Sequence, residues 1–209
     1  APAQAAGAGE RGGVELRQVG NRLYAWETVP EGLQSAEAKE TQRLLAEYGI
    51  PSEIVSWSQS NANGVTSTMR GEASVMQDGT VLVKNHAELT ARNMAGHEMA
   101  HVAREQAPAA YQAYYDAVVD QVDFSSDTYR EMADTIAEYY FTNRGKTFDI
   151  TTDYAALYEE LVGYISGNML ADEAAARRRY APMFHDFDAV AAAWRDMETA
   201  MRQTGRGTA

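Results

Sequence analysis

Apolar and polar positions divide the chain into two differently patterned parts. Over residues 13–86 the apolar positions come in short, partly alternating runs separated by turn residues, as strands require. Val14, Leu16 and Val19 suggest a strand or irregular edge, and Leu23, Tyr24 and Trp26 continue a β-prone stretch. Residues 53–57 read as another strand, 65–69 and 73–76 as short ones, and 80–84 as the clearest strand in the protein. Asn61, Asn63, Gly64, Gly71, Asp78 and Gly79 supply the turns, with Asp78-Gly79 a hairpin signal. One helix interrupts the strands. Ser35 is its predicted N-cap, Glu37 and Glu40 sit in its early turns, Leu44, Leu45 and Tyr48 form its apolar edge, and Gly49 and Pro51 stop it.

From residue 88 onward the period changes to that of helices. A first helix contains residues 93–105, and Pro108 separates it from a second over about 108–122. Asp123, Ser125 and Ser126 form a break with a cap before a third helix over about 127–143, whose stripe is Tyr129, Met132, Ile136 and Tyr140. Asn143-Arg144-Gly145 ends it. Thr151 or Thr152 caps a fourth helix with the stripe Tyr154, Leu157, Leu161, Ile165 and Met169. Gly163 and Gly167 lie inside this helix, where glycine is costly without a packing reason. Residues 171–201 read as helical again, with Arg177-Arg178-Arg179 as a solvated face and Val190, Trp194, Met197 and Met201 as a packed one. The expectation is an α+β protein: a small N-terminal mixed sheet with one helix over 13–86, then a mainly helical portion over 87–205, forming a single domain.

Composition narrows the partners. The 209 residues carry a net charge of −12, so the phosphate backbone of nucleic acid would be repelled. No apolar run reaches the roughly 18 residues needed to cross a membrane, so no span is expected. Cysteine is absent, which excludes disulfides and thiolate metal sites and leaves His and carboxylate as donors. Residues 1–12 read as a disordered linker. With no starting Met and no signal-peptide pattern, the chain is expected to be a segment of a longer polypeptide or a processed product.

The candidate chemistry lies in the first helix of the helical part. His97-Glu98-Met99-Ala100-His101 is an H-E-x-x-H motif. Histidines four apart share one helix face and can hold one zinc ion, and the intervening Glu98 is placed to take a proton from metal-bound water. Such a short pattern also arises by chance. Here it falls mid-helix, with Ala91, Ala95, Met99 and Val102 as an apolar opposite face, and Gly96 beside His97 leaves room for a close neighbour. The strand over 80–84 just precedes it, an order that would suit a cleft rim pairing with an extended peptide, or equally an ordinary sheet strand.

A catalytic zinc needs a third protein ligand. Arg104 and Ala107 stand where the H-E-x-x-H-x-x-G-x-x-H pattern needs Gly and His, so that type is excluded. Gln121 stands where a thermolysin-like pattern would place its Glu. Glu131, Glu138, Glu159 and Glu160 remain, and binding by His185 is unmotivated. On the fourth helix, Glu160 lies about 100° from Leu161 on the edge shared with Leu157 and Tyr164, while Glu159 faces away. Glu131, beside Met132, stays open by the same geometry.

Residues 85–170 resemble a gluzincin-like metallopeptidase domain embedded in large polyvalent proteins of phages and integrative elements. The likeness rests on H-E-x-x-H, on Gly145-Lys146-Thr147-Phe148-Asp149-Ile150-Thr151, and on Glu159-Glu160-Leu161-Val162-Gly163-Tyr164 followed by Met169-Leu170. It does not extend to the N-terminal third. The resemblance implies a zincin-like helical portion with Glu160 as third ligand beside His97 and His101. Gly163-Tyr164 replaces the family's Ala-Asp, which puts in doubt an Asp that would orient a zinc-bound His.

Together these predict a zinc endopeptidase with one Zn²⁺ per chain and Glu98 as general base. His86, Tyr164 and Tyr129 are candidates to stabilise the oxyanion. The substrate would be a polypeptide, including the chain's own parent, and the setting a bacterial cytoplasm or a phage more than a secreted one. The alternative is a degenerate metallopeptidase fold serving as a binding or structural module of a larger phage or mobile-element protein.

Overall fold

The computed structural model describes residues 13–69, 72–144 and 154–207, with the helical backbone alone for 140–144. The expected linker over 1–12, the turn at Gly71, the helix stop at Gly145 and the caps at Thr151 and Thr152 lie outside the described residues, as does the side chain of Tyr140.

The architecture is α+β. Strands β1 (Val14–Val19) and β2 (Arg22–Thr28) lead into α1 (Ala36–Glu47), and β3 (Ser52–Ala62), β4 (Val65–Thr68), β5 (Ala73–Val75) and β6 (Val81–Lys84) complete a six-stranded sheet. The order is β1-β2-β3-β6-β5, with β4 also on β3. Only β3 and β6 are parallel; the chain between them contains β4, antiparallel to β3, and β5, antiparallel to β6, so it returns before β6 begins. Residue 57 does not end β3, as the apolar run suggests. The strand continues to Ala62 because β2 and β4 supply hydrogen bonds along its polar half. Asn63 (φ 53°) and Gly64 (φ 79°) close its turn into β4, a left-handed pair that Asn-Gly adopts readily.

The strand over 80–84 is interior. β3 covers one edge of β6 and β5 the other, so it cannot accept an added peptide strand. Beyond β6 the outermost strand among the described residues is β5. Its neighbours bond inward, Lys84 N–H to Glu72 C=O and Met76 N–H to Thr80 C=O, which by alternation turns the backbone groups of Ala73 and Val75 outward. Among the described residues β5 pairs only with β6, and it packs against the following helix, α2 (Ala91–Gln106).

Alternation sorts the sheet's side chains into two cores. Ile54, Val81 and Val83 join the main core beneath the helices, while Val55 and Leu82 join Tyr24, Trp26 and Met76 on the other face. α2 is the hub of the main core. It packs against α1, α3 (Pro108–Gln121), α5 (Tyr154–Ala171), α7 (Phe187–Gly207) and β5. Its buried Met94, Met99 and Val102 each stabilise the fold by about 1.5–3 kcal/mol. α4 (Asp127–Arg144) and α6 (Glu173–Tyr180) pack on α5. The tail is helical as expected, and it consists of two helices. The Asp172 side chain caps α6, and Pro182 in a 3₁₀ turn separates it from α7. Among the described residues no helix is long and apolar enough to cross a membrane.

Candidate metal centre

The centre forms where α2 crosses α5. Thr90 caps α2 by accepting from Asn93 N–H, and Glu37 of α1 accepts from Ala91 N–H, so the helix start is anchored two turns ahead of His97. Glycine and serine allow the two helices to approach closely. A Cβ on Gly96 would lie 2.7 Å from the carbonyl oxygen of Ser166, and one on Gly167 would lie 2.6 Å from that of Asn93. The glycines inside the fourth predicted helix thus have their packing reason. Buried Ser166 donates to Gly96 C=O at 2.7 Å and accepts from Trp194 Nε1 at 2.9 Å, tying α2, α5 and α7 together.

This crossing brings Glu160 to the histidines. Nε2 of His97 and of His101 lie 3.0 Å apart, and the Glu160 carboxylate oxygens lie 3.7 Å from the first and 3.8 Å from the second. Donors about 2.0–2.1 Å from a tetrahedral zinc are about 3.3 Å from one another, so the triangle matches a three-ligand site. Among the described residues this is the one such group of His and carboxylate donors. The donors have a mouth kept clear for them: a Cβ on Gly163 would sit 3.0 Å from His97 Cε1 and 3.2 Å from His101 Nε2. Two Nε2 atoms at this distance either share a proton or turn both lone pairs to one cation.

Electrostatics favour ligation. Burial, then the charge of neighbouring His101, pushes His97 down to about 3, so its imidazole stays neutral as a ligand must be. Glu98, 8% exposed, is pushed up to about 7, chiefly by burial; His101 opposes the shift and Glu160 adds to it. A carboxylate that exchanges its proton near neutrality is suited to general acid–base work. Tyr164 presents its ring edge-on to His97 at 5.1 Å, and burial with the Glu160 charge pushes its phenol up to about 12, so it remains a donor.

The other predicted residues fall elsewhere. Glu131 is exposed on α4, and Glu159 pairs instead with Arg104 of α2 at 2.6 Å. His86 is exposed beyond β6, its Nε2 3.3 Å from Asn85 Nδ2. Tyr129 is buried against Phe124 and beside Tyr158. None of these four joins the His97–His101–Glu160 group. The sequence marks Gly163 as a costly helix residue and as a departure from the resembling family; its role beside the imidazoles has no local signal, because it depends on which helix crosses there. The chain matches no protein-family model, no curated protein and no solved structure.

Proposed function

We propose that this protein is a zinc-dependent peptidase. The observation that carries the proposal is the convergence of His97, His101 and Glu160 beside buried Glu98. Two imidazoles and a carboxylate, with no thiolate, suit a catalytic zinc that keeps one position open. When bound, the ion supplies a Lewis acid and an acidified water. His97 and His101 donate neutral nitrogens, and Glu160 neutralises part of the ionic charge. Glu98 accepts the proton of the attacking water and returns it to the leaving amine. The Tyr164 phenol donates a hydrogen bond to the carbonyl oxygen as it gains negative charge.

An extended polypeptide substrate, including the parent chain, is supported by the outer edge of β5 beside α2. Tyr164 at the position of the resembling family's Asp favours the second reading, a metal-holding module without turnover. Glu98→Gln separates the two. With zinc measured at one ion per chain in both proteins, hydrolysis of casein or a peptide library should fall by about 10²–10⁴-fold. Zinc-loaded wild-type protein that cleaves nothing, or a variant that cleaves as well as wild type, would sink the peptidase reading.

A further inference from the structure

α6, which packs on α5 behind Tyr164, carries an exposed cation that the proposed chemistry leaves unused, Arg179. Asn168 Nδ2 donates to the Tyr164 carbonyl at 2.8 Å and to the Tyr180 hydroxyl at 2.9 Å. Tyr180 is fully buried, and the Arg179 guanidinium lies over its ring at 5.3 Å. Nη2 of the same guanidinium touches Met132 Sδ of α4 at 4.0 Å. A short chain of contacts therefore leads from the His97 ring through Tyr164, Asn168 and Tyr180 to Arg179. The Arg179 charge is felt at Tyr164, where it opposes the effect of Glu160.

Arg179 has no carboxylate partner among the described residues, although the chain has 30 Asp and Glu against 18 Lys and Arg. Its neighbour Arg177 pairs with Asp188 at 2.7 Å, and Arg104, at the other end of the α2–α5 crossing, pairs with Glu159. Arg179 instead rests on an aromatic face and a thioether, which hold the planar fork without consuming its charge. The proposed centre itself would not attract an anion: the charges of ionised Glu98 and Glu160 offset those of one divalent ion. Arg178 also lacks a carboxylate partner among the described residues, but only Arg179 rests against Tyr180 and Met132, and a guanidinium so held can bind a carboxylate through two parallel hydrogen bonds.

We propose, resting on the peptidase reading, that Arg179 is a specificity residue that receives a substrate carboxylate on the Tyr164 side of the metal. The carboxylate is either an acidic side chain near the scissile bond or the substrate's C-terminus. Both sources share one chemistry, and the test distinguishes them.

Randomised peptide libraries capped at both ends, with one fixed Asp or Asn, are compared with a pair ending in free carboxylate or amide. Zinc-loaded wild-type protein should cleave the acid-bearing member of one pair about tenfold faster in kcat/KM. Preference within the first pair assigns a side-chain carboxylate, and within the second the C-terminus. Arg179→Gln should bring the ratio towards one through KM, Arg179→Lys should keep part of it, and Arg178→Gln, an exposed neighbour on α6, should preserve it. Equilibrium binding of the same libraries to Glu98→Gln protein gives a readout free of turnover, with the acid-bearing pool expected about tenfold tighter. Equal cleavage and equal binding within both pairs overturn the role of Arg179 while leaving peptide hydrolysis intact. A preference that survives in Arg179→Gln overturns it as well. Acid-selective binding lost in Arg179→Gln, with no cleavage by wild type, supports Arg179 and overturns the peptidase reading.

Discussion

α5 has two opposite faces that pack by opposite means. Towards α2 it presents Glu160, Gly163, Ser166 and Gly167, and the backbones approach until a single added Cβ would collide with a carbonyl oxygen or an imidazole. Away from α2 it presents Leu161, Ile165 and Tyr158, which fill space by bulk in the main core. The apolar stripe that identifies the helix in the sequence belongs to the bulky face. The chemistry sits on the close face, where small residues leave room for ligand side chains from the facing helix. Hydrophobic periodicity thus points away from the candidate site and marks it only by contrast.

The sharpest way to break this comparison is at Glu160. Glu160→Gln should remove stoichiometric zinc, with a loss beyond the ~10–100-fold that an outer-sphere partner typically costs. Glu131→Gln, altering an exposed residue of α4, should keep zinc binding within error. Equilibrium dialysis against a zinc chelator distinguishes them, and the reverse order would make Glu131 the ligand.

Next come paired changes on the two faces. Gly163→Ala adds one methyl against His97 and His101. It should cost about 1–3 kcal/mol and weaken zinc binding in the folded fraction. Leu161→Ala should cost more stability, about 2–5 kcal/mol, yet leave the zinc affinity of the folded protein unchanged. Denaturant titration with parallel zinc titration reads both. If Leu161→Ala loosened zinc as much as Gly163→Ala, the division between the faces would not hold.

The last effect is a pH dependence confined to the close face. Folding lowers His97 from 6.5 to about 3, so its contribution to stability is full above pH 6.5 and lost as pH falls towards 3. Folding raises Glu98 from 4.5 to about 7, so its contribution is full below pH 4.5 and lost as pH rises towards 7. In metal-free protein the two slopes cancel between about pH 4.5 and 6.5, leaving a plateau. Glu98→Gln should replace that plateau by a continued rise to pH 6.5, measurable by denaturant titration at each pH.

Much of the fold was legible locally. Ser35 caps α1 as its residue type predicts, Asn63-Gly64 makes its turn, and Pro108 opens α3. Of the two readings left open for β6, the ordinary sheet strand is the one observed, for a physical reason. Alternation identifies a strand and its two faces, but not which backbone lies along each edge, and β5 occupies the edge that chain order suggested was free. The tail is helical as its spacing indicates, while the break around Pro182 goes unmarked because it leaves the apolar spacing of both flanking helices intact.

By itself the sequence determined what repeats within a few residues: the pairing of His97 with His101 on one face, Glu98 between them, and the inward edge of α5 that carries Glu160. Helix geometry is local and regular, so spacing suffices. Tertiary structure alone decided that α5, and not α4, crosses the histidine face. It also decided that Gly163 would border the ligand atoms and that Arg179 would lie over Tyr180 and against Met132. Those outcomes depend on how closely two helices approach and on what packs behind them, a balance of many small contacts that no short stretch of sequence contains.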